Sequence, residues 1–425
     1  MTRVVECLQV VTVVALLSAC APPDAASGAA TSSSAATGSS GGAGGASSTS
    51  TTGAGGYPAP VLDQATTYQI NATHTGNQSG DNLAPPLKQR WTLDLHGAIS
   101  YPLIAGGRVF VTVANSDATL KPVGGTKLFA LDQATGSTAW GPFDPGGSGM
   151  ALAAYDSGQV FVVNSDGVVQ ALDAATGKVG WSVDLPNNTY FTSPPVATMG
   201  KVFLVGGAAL TALDQGTGKV LWKHPIQASA FSSPIVSATA AFTAGPGSCA
   251  FSFPLSKGAP NWQLSDCASD LGGRTPALFE GTLYVRNPPF APSGNLLFDA
   301  ATGTATGTFE AEAIPAFHDK RGFFLSKGTL SAKDLPAQTQ AWSFAGDGML
   351  TSAPIVVNGH VYAGGSAGML YALDEHTGEM VWSTDVGSPI LLPYEDIDKS
   401  PTIAGIAAGG GALIVPAWSH LNAYW

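Results

Sequence analysis

The stretch "YALDEHTGEMVW", Tyr371 to Trp382, has three earlier near-copies: "FALDQATGSTAW" at 129–140, "QALDAATGKVGW" at 170–181 and "TALDQGTGKVLW" at 211–222. Its core, D-x-x-T-G, is intact five times, beginning at Asp132, Asp173, Asp214, Asp299 and Asp374 and ending at Gly136, Gly177, Gly218, Gly303 and Gly378. Aspartate accepts hydrogen bonds from the backbone of its own turn, threonine does so more weakly, and glycine enters the positive-φ region without a Cβ clash. The pattern predicts a hairpin turn between two strands, the second of which carries a tryptophan. That indole offers a broad apolar face to a neighbouring unit.

Taking this residue as a ruler, Trp91, Trp140, Trp181, Trp222, Trp262, Phe309, Trp342 and Trp382 stand 49, 41, 41, 40, 47, 33 and 40 residues apart. A period near 40 built from short β-rich runs is that of propeller blades with four strands each. Strand A of the units opens at Pro102, Pro194, Pro234, Pro276, Pro315, Pro354 and Pro401. Proline lacks an N–H and suits the first residue of an edge strand, here the one lining the central channel. Strand B is an apolar run such as "RVFVTV" (108–113) or "KVFLVG" (201–206), strand C ends in "ALD", and strand D carries the tryptophan. Units four and six lack the intact turn.

The two ends complement each other. "KQRWTLDL" (88–95) reads as a D strand with no A, B or C before it, whereas "ALIVPAW" (412–418) and "LNAYW" (421–425) read as B and C with no D after them. The early strand therefore completes the last blade, and closing the ring removes edges that would invite aggregation. The expected fold is all-β: an eight-bladed propeller of four-stranded antiparallel blades over residues 57–425.

Composition agrees. Of 425 residues, 53 are Gly and 29 Pro, and charged residues make up only 11%, which favours short strands and many turns. The net charge of −11 and the absence of Lys/Arg clusters exclude a nucleic-acid partner, which needs a basic footprint. Near the start, Arg3 precedes the apolar run "VVTVVALL" (10–17), too short for a bilayer span of about twenty residues. "LSAC" resembles the lipobox of bacterial lipoproteins. The resemblance implies a signal peptide over 1–19 and a lipid on Cys20, holding the protein to a membrane through acyl chains. Ala21 lacks the aspartate that retains some lipoproteins at the inner membrane, so the outer membrane or cell surface is expected. Residues 20–56 are nearly all Ala, Ser, Gly and Thr, a flexible tether with a reach of roughly 30–35 Å. Cys7 belongs to the leader, leaving Cys249 and Cys267 as a cross-strand disulfide pair in the degenerate fourth blade.

The A-x-D-x-x-T-G-x-x-x-W unit at this period resembles the pyrroloquinoline quinone (PQQ) type, or quinoprotein-like, propeller repeat, and the resemblance extends from Tyr68 to Trp425. That superfamily holds quinoprotein alcohol and glucose dehydrogenases and also non-catalytic propellers such as the BamB-like lipoproteins of outer-membrane assembly. Lipobox, tether and one compact ring resemble the second branch. For the first, the resemblance implies a quinone between a tryptophan floor and a vicinal Cys–Cys disulfide, a calcium held by Glu, Asn and Asp, and an Asp base. No Cys–Cys pair is present and no carboxylate matches the calcium or base motif. No catalytic, cofactor-binding or metal residue is therefore assigned. Trp418, the tryptophan outside the D strands and the chain end, reads as a core residue on the last B strand.

In a propeller the D–A and B–C connections share one face, and the A–B and C–D turns share the other. Here the C–D turns are uniform, while the D–A/B–C face carries the variation and Tyr190, Phe191, Phe231, Phe290, Leu391, Leu392 and Tyr394. Binding residues favour loops placed by a rigid scaffold. These side chains are expected either to dock a protein partner of the cell envelope or to fold over the channel mouth as a plug. "YEDIDK" (394–399) sets Glu395, Asp396 and Asp398 in one loop, a solvated acidic segment or a calcium ligand set. The leading expectation is a monomeric, non-catalytic, lipid-anchored envelope scaffold without a cofactor. The alternatives are a PQQ- and calcium-dependent alcohol or sugar dehydrogenase, and a propeller that binds carbohydrate or an envelope polymer.

Overall fold

The computed structural model describes residues 63–425 except 120, 186–190, 227–231, 246–248, 265–272, 288–293, 394 and 396–401. The expected signal peptide, tether and Cys20 lie outside the described residues. Eight blades of four antiparallel strands follow one another, and a short fifth strand, Asn77–Gln78, is added to the sheet of blade 7. Blades 1 to 7 occupy 103–143, 151–184, 196–225, 235–264, 277–309, 316–344 and 355–385. No helix is present among the described residues.

Blade 8 takes strands A, B and C from Ala407–Gly409, Ala412–Ala417 and His420–Tyr424, and strand D from Gln89–Asp94. Trp91 faces Ala423 across this antiparallel pair. Lys88 and Trp425 prolong it, exchanging backbone hydrogen bonds of 2.8 and 3.1 Å. The ring is closed by the two ends of the folded body, as the sequence predicts. One boundary differs: the last A strand starts at Ala407, six residues beyond the predicted Pro401. Strand A begins directly after Pro102, Pro195, Pro234, Pro276, Pro315 and Pro354 in blades 1 and 3 to 7, whereas in blade 2 it begins at Ala151 with no proline before it.

Burial explains the strand sequences. B strands such as Lys201–Gly206 are buried along nearly their whole length because both faces meet neighbouring blades, so they read as apolar runs. D strands such as Val179–Asp184 alternate between exposed and half-buried positions because they form the rim. Just before their tryptophans the D strands of blades 2, 3, 6, 7 and 8 carry a register shift against strand C. A bulge there twists the rim strand and makes its open edge a poor template for further pairing.

The repeated phrase is also a lock between blades. In each intact turn the Asp carboxylate accepts from the Thr backbone N–H and hydroxyl, for instance Asp173 from Thr176 at 2.8 and 2.6 Å. Those threonine hydrogen bonds hold Asp132, Asp173, Asp299 and Asp374 below the ordinary carboxylate range. The turn glycine has φ near +72° in all five copies. The indole of the preceding blade lies on that glycine and donates from Nε1 to the carbonyl of the residue directly after the turn's Asp: Trp91 to Gln133, Trp140 to Ala174, Trp181 to Gln215, Trp262 to Ala300 and Trp342 to Glu375, at 2.9–3.0 Å. In blade 6 the turn glycine is replaced by Gln338, φ 55°, and the strand before it carries Phe309 in place of tryptophan. A Cβ in the turn and a smaller ring on the neighbour go together.

Candidate functional site

The ring's axis is filled by a segment that the repeat pattern gave no reason to expect there. Residues 63–78 bond the innermost part of every blade. Ala65 N–H donates to Ile104 O of blade 1, Tyr155 N–H of blade 2 donates to Thr66 O, and the Thr67 hydroxyl donates to Pro195 O at the entry to blade 3. Val236, Leu278, Phe317 and Val356 of blades 4 to 7 donate to Ala72, Thr73, Thr75 and Gly76, and Gly410 of blade 8 to Asp63. All these contacts are 2.7–3.0 Å. Asn77–Gln78 then pairs in parallel with strand A of blade 7. The plug thus comes from the residues ahead of the first strand.

Its side chains bring polar groups into the interior. The His74 ring nitrogens face Tyr68 O at 2.8 Å and Pro234 O at 3.1 Å. Burial favours the neutral imidazole, the two carbonyls oppose it, and burial wins: the pKa falls to about 4. Tyr68 is fully buried against Tyr101, ring centroids 5.3 Å apart, and burial raises its pKa well above the ordinary value.

Beside Tyr68 lies a buried ion pair. Arg286, directly after strand B of blade 5, donates from Nη2 to a Glu395 carboxylate oxygen. It also donates to Thr275 O at 3.2 Å and, from Nη1, to Glu312 O at 3.0 Å. The other Glu395 oxygen accepts from Thr275 N–H at 3.1 Å. The two side chains are 1% and 0% exposed. Glu395 belongs to the connection between blades 7 and 8, so this connection reaches past blade 6 to blade 5. The acidic loop is therefore not simply a solvated segment, and Glu395 is committed to Arg286 and Thr275. Asp396 and Asp398 lie outside the described residues.

The residues expected on the D–A/B–C face divide. Phe191 is 2% exposed and fills the space over Gly206, where a Cβ would stand 2.2 Å from its ring. Ile390 does the same over Gly364 at 2.3 Å. Phe191 is thus a packing residue, and the signal for it, a glycine ending strand B, is weak in sequence. Leu391 and Leu392 are half-buried, and Leu392 packs on the core. Tyr190, Phe231, Phe290 and Tyr394 lie outside the described residues. Cys249 is fully buried and is not a free thiol; Cys267 lies outside the described residues. Trp418 is neither on strand B nor in the core: it occupies the B–C turn of blade 8, 37% exposed.

These residues do not fit the quinone site of the dehydrogenase branch. The one tryptophan available as a floor faces solvent on a turn; of the buried carboxylates described, Glu395 is spent on Arg286, Glu375 faces His318, and Asp81 accepts the Leu83 and Gly411 N–H groups; and the axis holds residues 63–78. Among the described residues no cluster of three or more His, Cys, Asp or Glu could hold a metal ion.

A family model described as outer membrane protein assembly factor BamB matches residues 124–275 and 256–395, more than half of the chain. No curated protein sequence matches. Among solved structures, BamB from Moraxella catarrhalis is similar at 16% identity and a TM-score of 0.56, covering 80% of this chain and 98% of that one. Quinohemoprotein alcohol dehydrogenase from Comamonas testosteroni is similar at 14% identity and 0.64, covering 85% and 80%. The computationally designed Ika8 protein is similar at 15% identity and 0.61, covering 78% and 97%. At such identities, likeness to an assembly factor, an enzyme and a designed ring speaks for the fold alone.

Proposed function

The chain belongs to the PQQ-type β-propeller family of the BamB assembly factor, and on that footing we propose that it is a non-catalytic scaffold of the cell envelope. In this reading it is anchored through lipid on Cys20 at the outer membrane and docks a protein partner of outer-membrane assembly on its D–A/B–C face. The observation that carries the reading is the plug: residues 63–78 bond all eight blades, occupying the axis with the protein's own backbone. A rigid ring with a filled centre offers its loops as its means of recognition. A disulfide between Cys249 and Cys267 stiffens the blade that lacks the regular turn.

Crosslinking in native membranes tests this. Replacing Leu391 and Leu392 by serine, together with Tyr190, Phe231, Phe290 and Tyr394 by alanine, is expected to abolish the crosslinked partner, and its full retention would defeat the face assignment. Sustained dye-linked oxidation of alcohols or sugars by the purified chain with PQQ and calcium would overturn the non-catalytic reading.

A further inference from the structure

The D-strand tryptophans serve blade packing on the C–D side, whereas Trp418 stands on the opposite face at the first position of a two-residue turn with φ 53°. Equivalent positions hold Gly207 in blade 3 and Lys327 in blade 6, at φ 55° and 51°. A two-residue hairpin turn takes positive φ at its first position, where a non-glycine residue costs on the order of 1–2 kcal/mol. Here the strained residue presents a large apolar ring to solvent. Two more exposed apolar side chains share the face in adjoining blades: Met349, 49% exposed in the connection into blade 7, and Val123, 63% exposed in the long B–C hairpin of blade 1.

Carboxylates rim this sector. Asp94, Asp144, Asp347 and Asp385 are exposed at or just beyond D-strand ends of blades 8, 1, 6 and 7. Each accepts a backbone N–H two residues on, from His96, Gly146, Met349 and Gly387 at 2.8–3.0 Å, so the charges are held in place at the surface. Exposed Lys121 and half-buried Lys127 of the blade 1 hairpin offset them only in part. Complementary charge steers encounter and sets register, and an aromatic residue at the centre supplies the anchor.

We propose that the sector formed by Trp418, Met349 and Val123 and rimmed by Asp94, Asp347 and Asp385 docks a basic, amphipathic protein segment. This rests on the partner-docking reading and narrows it to four successive blades, 6, 7, 8 and 1, and one partner chemistry. The test titrates the full-length chain with a labelled amphipathic leucine–lysine peptide and with its leucine–glutamate counterpart. The lysine peptide is expected to bind in a salt-sensitive manner, the glutamate peptide not. Trp418→Ser with Met349→Ser should weaken binding at least tenfold. Asp94→Asn with Asp385→Asn, which keeps the turn hydrogen bonds, should weaken it several-fold and flatten the salt dependence. Equal binding of both peptides, or unchanged affinity after Trp418→Ser with Met349→Ser, overturns the proposal. If that second outcome is accompanied by loss of binding in Leu391→Ser/Leu392→Ser, the sector falls while the face stands; if only Lys178→Glu and Lys219→Glu on the opposite face alter binding, both fall.

Discussion

Trp140 lies on Gly177 of the next blade: a Cβ at 177 would stand 2.7 Å from its Cδ2, while its Nε1 donates to Ala174 O at 2.9 Å. Gly177→Ala must therefore strain a φ of +72° and displace the indole as well. A loss of about 2–4 kcal/mol is expected in urea unfolding. Gly158, φ +80° with nothing within 4 Å of an added Cβ, isolates the backbone part, and Gly158→Ala should cost about 1–2 kcal/mol. Equal losses would mean that the indole contact contributes nothing.

Arg286 and Glu395 make the opposite kind of joint, buried and charged. Removing one partner leaves an uncompensated charge in the interior, at a cost of about 3–5 kcal/mol. Glu395→Leu alone should therefore destabilise the ring strongly, and Arg286→Met with Glu395→Leu should recover most of the loss. A double variant no better than the single one would show that the arginine's hydrogen bonds to Thr275 O and Glu312 O dominate.

His74 gives the plug a pH dependence of definite sign. Its folded pKa of about 4 lies below the unfolded value of about 6.5, so the unfolded chain binds more protons between these limits. The contribution is complete above pH ~6.5 and is lost as pH falls towards 4, on the order of 3 kcal/mol in all. Unfolding of the wild type and His74→Gln from pH 7.5 to 4 isolates it. A wild type that gains stability on acidification relative to the variant would mean that the two carbonyls hold an imidazolium.

Cys249 and Cys267 enclose a short loop, and closing a loop of about 15 residues stabilises by about 3 kcal/mol. Non-reducing peptide mapping should recover the two in one linked pair, and reduction should lower the urea midpoint. Labelling of Cys267 as a free thiol in the unreduced protein would exclude the pairing.

What the sequence made legible was local or self-repeating. The Asp173–Thr176–Gly177 turn is bonded within five residues, and Trp91 lacked sheet partners of its own just as the strand ending at Tyr424 lacked a D strand. The plug escaped because it is held mainly through backbone to eight different blades, which leaves no periodic trace in its side chains. Arg286 and Glu395 are far apart in the chain, and neither sits in a motif. Trp418 was misplaced because the apolar run before it continues into the turn without a break.

Hydrogen exchange of the chain alone and within the complex captured from native membranes tests the division of labour most directly. Slowed exchange is expected in the connections at 345–354 and 386–393 and at the turn 418–419, with the turns at 132–136, 173–177 and 214–218 unchanged. Protection confined to those repeat turns would contradict it.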